Sequence, residues 1–298
     1  MKLNSLEHDI LSNYREGKTP SFDDQSEEIS LTRFSLWIML NIGKIIRSQR
    51  IFSQANNTTY KKGGSPVTLL EKEIEDFVIG KLEKYFPQIK FIGEETGGTF
   101  SEKNLSLALD PIDGTWGFIT HSDSYSSSLV IFKDKEIIFG AVLNPSTGEL
   151  GYASKSSQSR LIQLSMLGEN DISVGLPLKN NLNENKLLIN IHPSKKAGTI
   201  INNLYNSWEL GEIKFIKSIG GSPSLALLEA AKGYYTYVNL WEKQPALIYD
   251  LAAGMQIIRG AGGDVVDRNE NPIKLVGHQG LFIGGILHKN MTNLLKLL

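Results

Sequence analysis

Leu105-Ser106-Leu107-Ala108-Leu109-Asp110-Pro111-Ile112-Asp113-Gly114-Thr115-Trp116 is the stretch whose reading decides the fold. Its apolar run, broken only by Ser106, reads as a short buried strand. The run ends in two carboxylates three residues apart with a proline between them. Pro111 has no N–H and a fixed φ, so the strand is expected to stop there. Asp110 and Asp113 would then sit on a rigid turn at a strand's carboxyl end, where open α/β sheets place their ligands. Gly114 lets a backbone approach closely, and Thr115 can open a helical turn whose first amides point outward. Clustered anionic oxygens call for a hard cation, and bare helix-start amides call for an anion such as phosphate. A generic D-x-x-D is more often an acidic turn that caps a helix and nothing more. The remainder of the chain decides between the two.

With a net charge of -1 over 298 residues, the chain has no general electrostatic pull toward nucleic acid or a membrane surface. It contains no cysteine, which excludes disulfides, thiol nucleophiles and cysteine-ligated zinc. Its start, from Met1 to Asp9, lacks the apolar core of a signal peptide, and nothing later approaches roughly 18 uninterrupted apolar residues. A cytoplasmic enzyme is the expectation.

Residues 1–28 are polar and mixed and read as a loosely held lead-in with at most one short helix. Ile29 to Arg50 suits one long buried helix, in which Trp37 and Met39 are packing residues. A basic loop, Lys61 to Val67, precedes Thr68, which can cap a helix running to Tyr85. Glu71 is the third residue after that cap and completes T-x-x-E, so a capping role accounts for it as well as a chemical one does. Ile89–Ile92 is a short strand followed by Gly93-Glu94-Glu95. Should it lie parallel to the strand ending at Asp110, Glu94 and Asp110 converge. Tyr125–Phe132, Glu136–Leu143 and Gly148–Ala153 form an antiparallel meander.

Residues 154–185, rich in Ser, Asn and Lys and with short β-like runs, read as a seam between an N-terminal α+β half (1–160) and a C-terminal α/β half (161–298). In the second half, strands are expected at Lys186–Ile191, Ile213–Ile216, Tyr234–Val238, Gly263–Val266 and Leu281–Gly285. Helices are expected at Ser194–Ser207, Ser224–Lys232, Ala246–Arg259 and His288–Leu298. Asp250 falls in a helix's first turn, where an aspartate ordinarily complements the helix dipole.

Each acid alone has an ordinary explanation; their order and spacing do not. Glu71, then Glu94-Glu95, then Asp110-Pro111-Ile112-Asp113-Gly114-Thr115, then Asp250 with eleven residues before Gly262-Gly263, is similar to the lithium-sensitive, magnesium-dependent phosphatases. That superfamily includes inositol monophosphatases, 3'(2'),5'-bisphosphate nucleotidases and fructose-1,6-bisphosphatases. The resemblance covers about Gly63 to Gly263. It implies a layered α-β-α-β-α sandwich and Mg²⁺-dependent hydrolysis of a small phosphomonoester with two or three metal ions. It assigns Glu94, Asp110 and the Ile112 carbonyl to one Mg²⁺, and Asp110, Asp113 and Asp250 to a second. Glu95 would orient a metal-bound water, and Thr115 with the acid at position 71 would activate the attacking one. The amides of Gly114 and Thr115, with Gly221 and Ser222, would meet the substrate. A small phosphorylated metabolite is the implied partner, and a homodimer is compatible with the family.

One departure stands out: the family usually has aspartate where this chain has Glu71. Substrate choice stays open between inositol phosphate and phosphoadenosine phosphate. Trp116-Gly117-Phe118 matches neither the Lys-Glu pair of many nucleotidases nor the Asn of many inositol enzymes. Trp241, in the stretch Asn239–Pro245, can stack on a base or simply pack. A catalytically impaired, metabolite-binding relative is the competing class, and Glu71 is the one feature favouring it. Other hydrolase and cofactor classes lack their motifs. There is no D-x-D nucleophile with the dehalogenase spacing, no G-x-S-x-G elbow, no H-E-x-x-H, and no third glycine for a dinucleotide loop at Gly260–Gly263.

Overall fold

In the computed structural model, Asn4 and Glu7 exchange hydrogen bonds across a capping box that starts α1 (Ser5–Arg15). The expectation of a loose lead-in is thereby corrected. Ile10 and Leu11 are buried, and Glu7, with no exposed surface, pairs with Arg160 at 2.6 Å. The structure describes all residues except 1, 25, 51–57, 61–65, 99–103, 166–169, 179–185, 192–194, 220, 276–277, 287–293 and 295–298. Helix α2 (Glu27–Arg50) is long and apolar enough to cross a membrane by length and composition, but 72% of that window is buried inside the fold. Its apolar side chains pack on the sheet below, where each fully buried Leu, Ile or Phe contributes about 1.5–3 kcal/mol.

Strands β1 (Thr58–Tyr60) and β2 (Pro66–Thr68) pair antiparallel and lead into α3 (Leu69–Tyr85). Of the basic loop read at Lys61–Val67, residues 61–65 fall outside the described residues and Pro66 and Val67 belong to β2; the cap expected of the Thr68 side chain also falls outside what is described. Then come β3 (Lys90–Gly93), β4 (Ser106–Asp113), α4 (Thr115–Ile119), β5 (Ser126–Lys133), β6 (Glu136–Asn144), β7 (Glu149–Ser154), β8 (Arg160–Gln163) and β9 (Ile172–Gly175). The seven strands form one sheet in chain order, with β3 parallel to β4 and every other pair antiparallel. The stretch read as a seam therefore carries two further strands. The short β-like runs read there are these strands, and the serines of their polar composition, Ser159 before β8 and Ser173 within β9, are buried.

The second sheet comprises β10 (Lys186–Ile191), β11 (Phe215–Ser218), β12 (Thr236–Ala246), β13 (Asp264–Asp267) and β14 (His278–Gly285) in the order β11-β10-β12-β14-β13. The intervening helices are α5 (Lys195–Glu209), α6 (Pro223–Ala231) and α7 (Ile248–Gly260). The stretch 239–245 continues β12 to Ala246 with a register shift between Trp241 and Ala246. The helix expected at His288–Leu298 lies outside the described residues apart from Leu294, which is buried.

Three apolar clusters fix the stacking. One joins α1, α2 and α3 to a face of the seven-stranded sheet. The second fills the space between the two sheets with α6 and α7. The third seats α5 on the far face of the smaller sheet. The result is the α-β-α-β-α sandwich. Close approach of the middle layer depends on Gly140 of β6, where a Cβ would stand 2.8 Å from the Ala253 carbonyl oxygen of α7.

Candidate active site

Strand β4 does not stop at Pro111. It pairs Asp110 with Ser128 and Asp113 with Ser126, and the register slips between them. The proline thus occupies a bulge, where its missing N–H removes no ladder bond. The Pro111 carbonyl accepts from Ser127 Oγ at 2.6 Å, and Asp110 Oδ1 accepts the Ile112 amide at 2.9 Å. The bulge turns both carboxylates toward one end of the sheet. Gly114 then takes a left-handed conformation (φ 87°), and a Cβ there would lie 2.9 Å from both the Ser124 carbonyl oxygen and Ser222 Cβ. Thr115 opens α4 as expected.

The parallel pairing of β3 with β4 aligns Gly93 with Leu109, so Glu94 and Asp110 follow at the same sheet end. From the first helical layer, Glu71 is buried in the first turn of α3, and its Oε1 lies 3.1 Å from Thr115 Oγ1. The same hydroxyl lies 3.2 Å from the Ile112 carbonyl oxygen. From the middle layer, two helix starts converge on Asp113. Ser222 caps α6 and donates from its hydroxyl to Asp113 Oδ2 at 2.8 Å, and the Ser224 amide donates to the same oxygen at 2.8 Å. Ser224 Oγ donates to the Asp250 carbonyl at 2.8 Å, tying α6 to α7. Asp250, in the first turn of α7, accepts the Leu247 amide at 3.0 Å.

Electrostatics report the gathering directly. The Asp110 carboxyl is held well above the usual carboxylate range, first by burial and then by the negative charges of Glu94, Asp113, Asp250 and Glu71. Burial also pushes Asp113 up to about 7; the Ser222 and Ser224 hydrogen bonds oppose that rise, and the Glu94 charge adds to it. The Tyr249 phenol is pushed upward by burial and by Glu94, Asp250, Asp110 and Glu95. Five acids from four separate segments, with Glu95 beside them, therefore share one low-dielectric pocket.

Among the described residues, no group of three or more His, Asp or Glu side chains stands in chelating geometry. The donor chemistry nevertheless fits a hard divalent cation. Buried carboxylates that repel one another are relieved by such an ion, and no soft ligand competes.

Of the expected site residues, Glu71, Glu94, Glu95, Asp110, Ile112, Asp113, Thr115 and Asp250 come together. Gly114 supplies the turn between Asp113 and Thr115. Gly221 takes a positive φ (91°) just before the α6 cap. Ser222, expected beside the substrate, is wholly buried and directed at Asp113, so it supports the carboxylate instead. Glu75 was missed. It is buried on α3 one turn after Glu71 and accepts the amides of Glu95 and Thr96. Its i+4 spacing from Glu71 was the available signal.

Residues 29–298 match the model of the inositol monophosphatase family. Inositol monophosphatase 2 of Homo sapiens is 28% identical over 253 residues, which cover 80% of this chain and 81% of that protein. Among solved structures, an IMPase/NADP phosphatase complexed with Mg²⁺ and phosphate superposes with a TM-score of 0.72 at 18% identity, covering 92% of this chain and 96% of that one. Inositol monophosphatase II of Staphylococcus aureus, in its 2'-AMP-bound form, gives 0.69 at 21% identity, with 89% and 93% covered. Its complex with inositol monophosphate gives 0.67 at 20%, with 89% and 92% covered.

Proposed function

Because the chain belongs to the inositol monophosphatase family, whose members hydrolyse phosphomonoesters, we propose that it is a Mg²⁺-dependent phosphatase acting on a small phosphorylated metabolite in the cytoplasm, inositol phosphate first. The observation that carries this is the Asp110 carboxyl surrounded by the charges of Glu94, Asp113, Asp250 and Glu71. Glu94, Asp110, Asp113, Asp250 and the Ile112 carbonyl would hold the ions. Bound Mg²⁺ would neutralise phosphoryl oxygens and make water more acidic.

The remaining work falls to the chain. With its proton directed at Glu71, the Thr115 hydroxyl presents a lone pair to a water in front of the phosphorus. That water can hand its proton to Thr115 as Thr115 hands its own to Glu71, so the longer acid at position 71 is competent as the terminal base. Asp113 is kept in one rotamer by Ser222 and the Ser224 amide, so it meets its cation without reorganising. The Gly114 and Thr115 amides at the start of α4 would receive phosphate oxygens.

A second substrate reading, a nucleotide phosphate of the phosphoadenosine phosphate kind, is favoured by Trp116. That residue follows Thr115 directly and is 53% exposed, offering an aromatic face to a base. The binding of 2'-AMP by the staphylococcal relative supports it further.

Phosphate release from inositol 1-phosphate, fructose 1,6-bisphosphate and phosphoadenosine phosphate, with and without Mg²⁺, tests the proposal. Release from at least one of them only with Mg²⁺, inhibition by millimolar lithium and loss of turnover in a folded Asp113→Asn variant are expected. Release that ignores Mg²⁺, or near-normal turnover in Asp113→Asn, would refute the metal assignment.

A further inference from the structure

Glu75 has no exposed surface, and both of its carboxylate oxygens are used. Oε1 accepts the Glu95 amide at 2.9 Å and Oε2 accepts the Thr96 amide at 2.7 Å. Among the described residues no lysine or arginine pairs with it, and these two backbone amides are the partners of its oxygens. The fit is close on the other side as well. A Cβ at Gly93 would stand 2.4–2.6 Å from the three carboxylate atoms, so the chain leaves Gly93 bare where Glu75 passes. Gly93 is the last residue of β3, and Glu94 and Glu95 follow it at once. The carboxylate therefore grips the turn that carries both glutamates, and it does so from the helix that presents Glu71 to Thr115.

We propose that Glu75 is the positioning residue of the site: it sets the Glu94–Thr96 turn in the register at which Glu94 stands beside Asp110, and ties it to Glu71 through one helical turn of α3. The inference rests on the Mg²⁺ phosphatase reading above. Burying an unbridged carboxylate is costly, and a glutamine would pack in the same space at lower cost. What glutamine cannot do is accept from two backbone amides with both arms. Its NH₂ would face one N–H with another, and the turn would have to move.

Magnesium alone, titrated calorimetrically into the purified full-length protein, reads the effect without relying on turnover. Glu75→Gln is expected to weaken Mg²⁺ binding by about 10–100-fold, the usual consequence of disturbing groups that orient metal ligands. Its kcat at saturating Mg²⁺ should return to within a few-fold of wild type. Gly93→Ala, which presses on the same carboxylate without altering α3, should weaken Mg²⁺ binding in the same direction, and it carries the test if Glu75→Gln does not fold. Mg²⁺ affinity equal to wild type in a folded Glu75→Gln, or in Gly93→Ala should only that variant fold, would overturn the inference alone, even with a lowered Tm. A wild-type protein that gives no Mg²⁺ binding signal and no Mg²⁺-dependent phosphate release would overturn the functional reading beneath it and the inference together.

Discussion

Glu71 is one methylene longer than the aspartate that the family resemblance leads one to expect at its position. From the first turn of α3 the carboxylate reaches Thr115 Oγ1 at 3.1 Å. Shortening it withdraws the base by about the distance at which a misplaced catalytic group costs about a hundredfold in rate. Glu71→Asp is therefore expected to lower kcat by about that factor with little change in KM, in steady-state phosphate release. A rise in kcat would mean that Glu71 is a relic and not an adapted base. At this scale Asp110, Asp113 and the Glu94-Glu95 pair were legible only together, because each acid alone has an ordinary explanation and it is their order and spacing that resemble a known family. Ser222 and Glu75 were legible only as residue types. Ser222 earns its role from a contact across 109 positions of chain, and Glu75 from backbone amides that no side-chain pattern announces.

Among the elements, the reading failed where tertiary contacts override local signals. Helix α1 is short and mostly polar, and its place is set by Glu7, which accepts from Arg160, Ser173 and Tyr152 across more than 140 residues. Burial alone would raise the Glu7 carboxyl, but the Arg160 guanidinium, the Asn4 amide and the two hydroxyls outweigh it and hold it below its usual range. A carboxyl lowered on folding adds stability above its unfolded pKa, and that stability is lost as pH falls through the folded value. Glu7→Ala, leaving a partly buried guanidinium without its partner, should cost about 3 kcal/mol in urea unfolding at neutral pH. The deficit against wild type should shrink below about pH 4, where the free carboxyl protonates. A deficit unchanged by acid would show that packing, not charge, holds α1. Strand β4 teaches a related lesson. Pro111 was taken as an end, but the register slip between Asp110 and Asp113 lets the strand carry both acids past it.

For the whole molecule, periodicity marked the helices and strands in their order, while the layer order came from the family resemblance. Which faces meet was not legible, because it depends on glycines such as Gly140 and Gly151, where a Cβ would strike α7 or Leu228. Those contacts bring α7, and Asp250 with it, to the end of β4, a strand more than a hundred residues earlier. Folding thus completes a pocket that no single segment contains. The Mg²⁺ dependence of phosphate release by Asp250→Asn, set beside wild type, tests this most directly. A folded variant whose half-saturating Mg²⁺ concentration rises by about tenfold or more, with turnover sharply reduced, is the predicted result. Wild-type turnover at wild-type Mg²⁺ would mean that Asp250 takes no part in the site, and the account of one shared acidic pocket would be wrong.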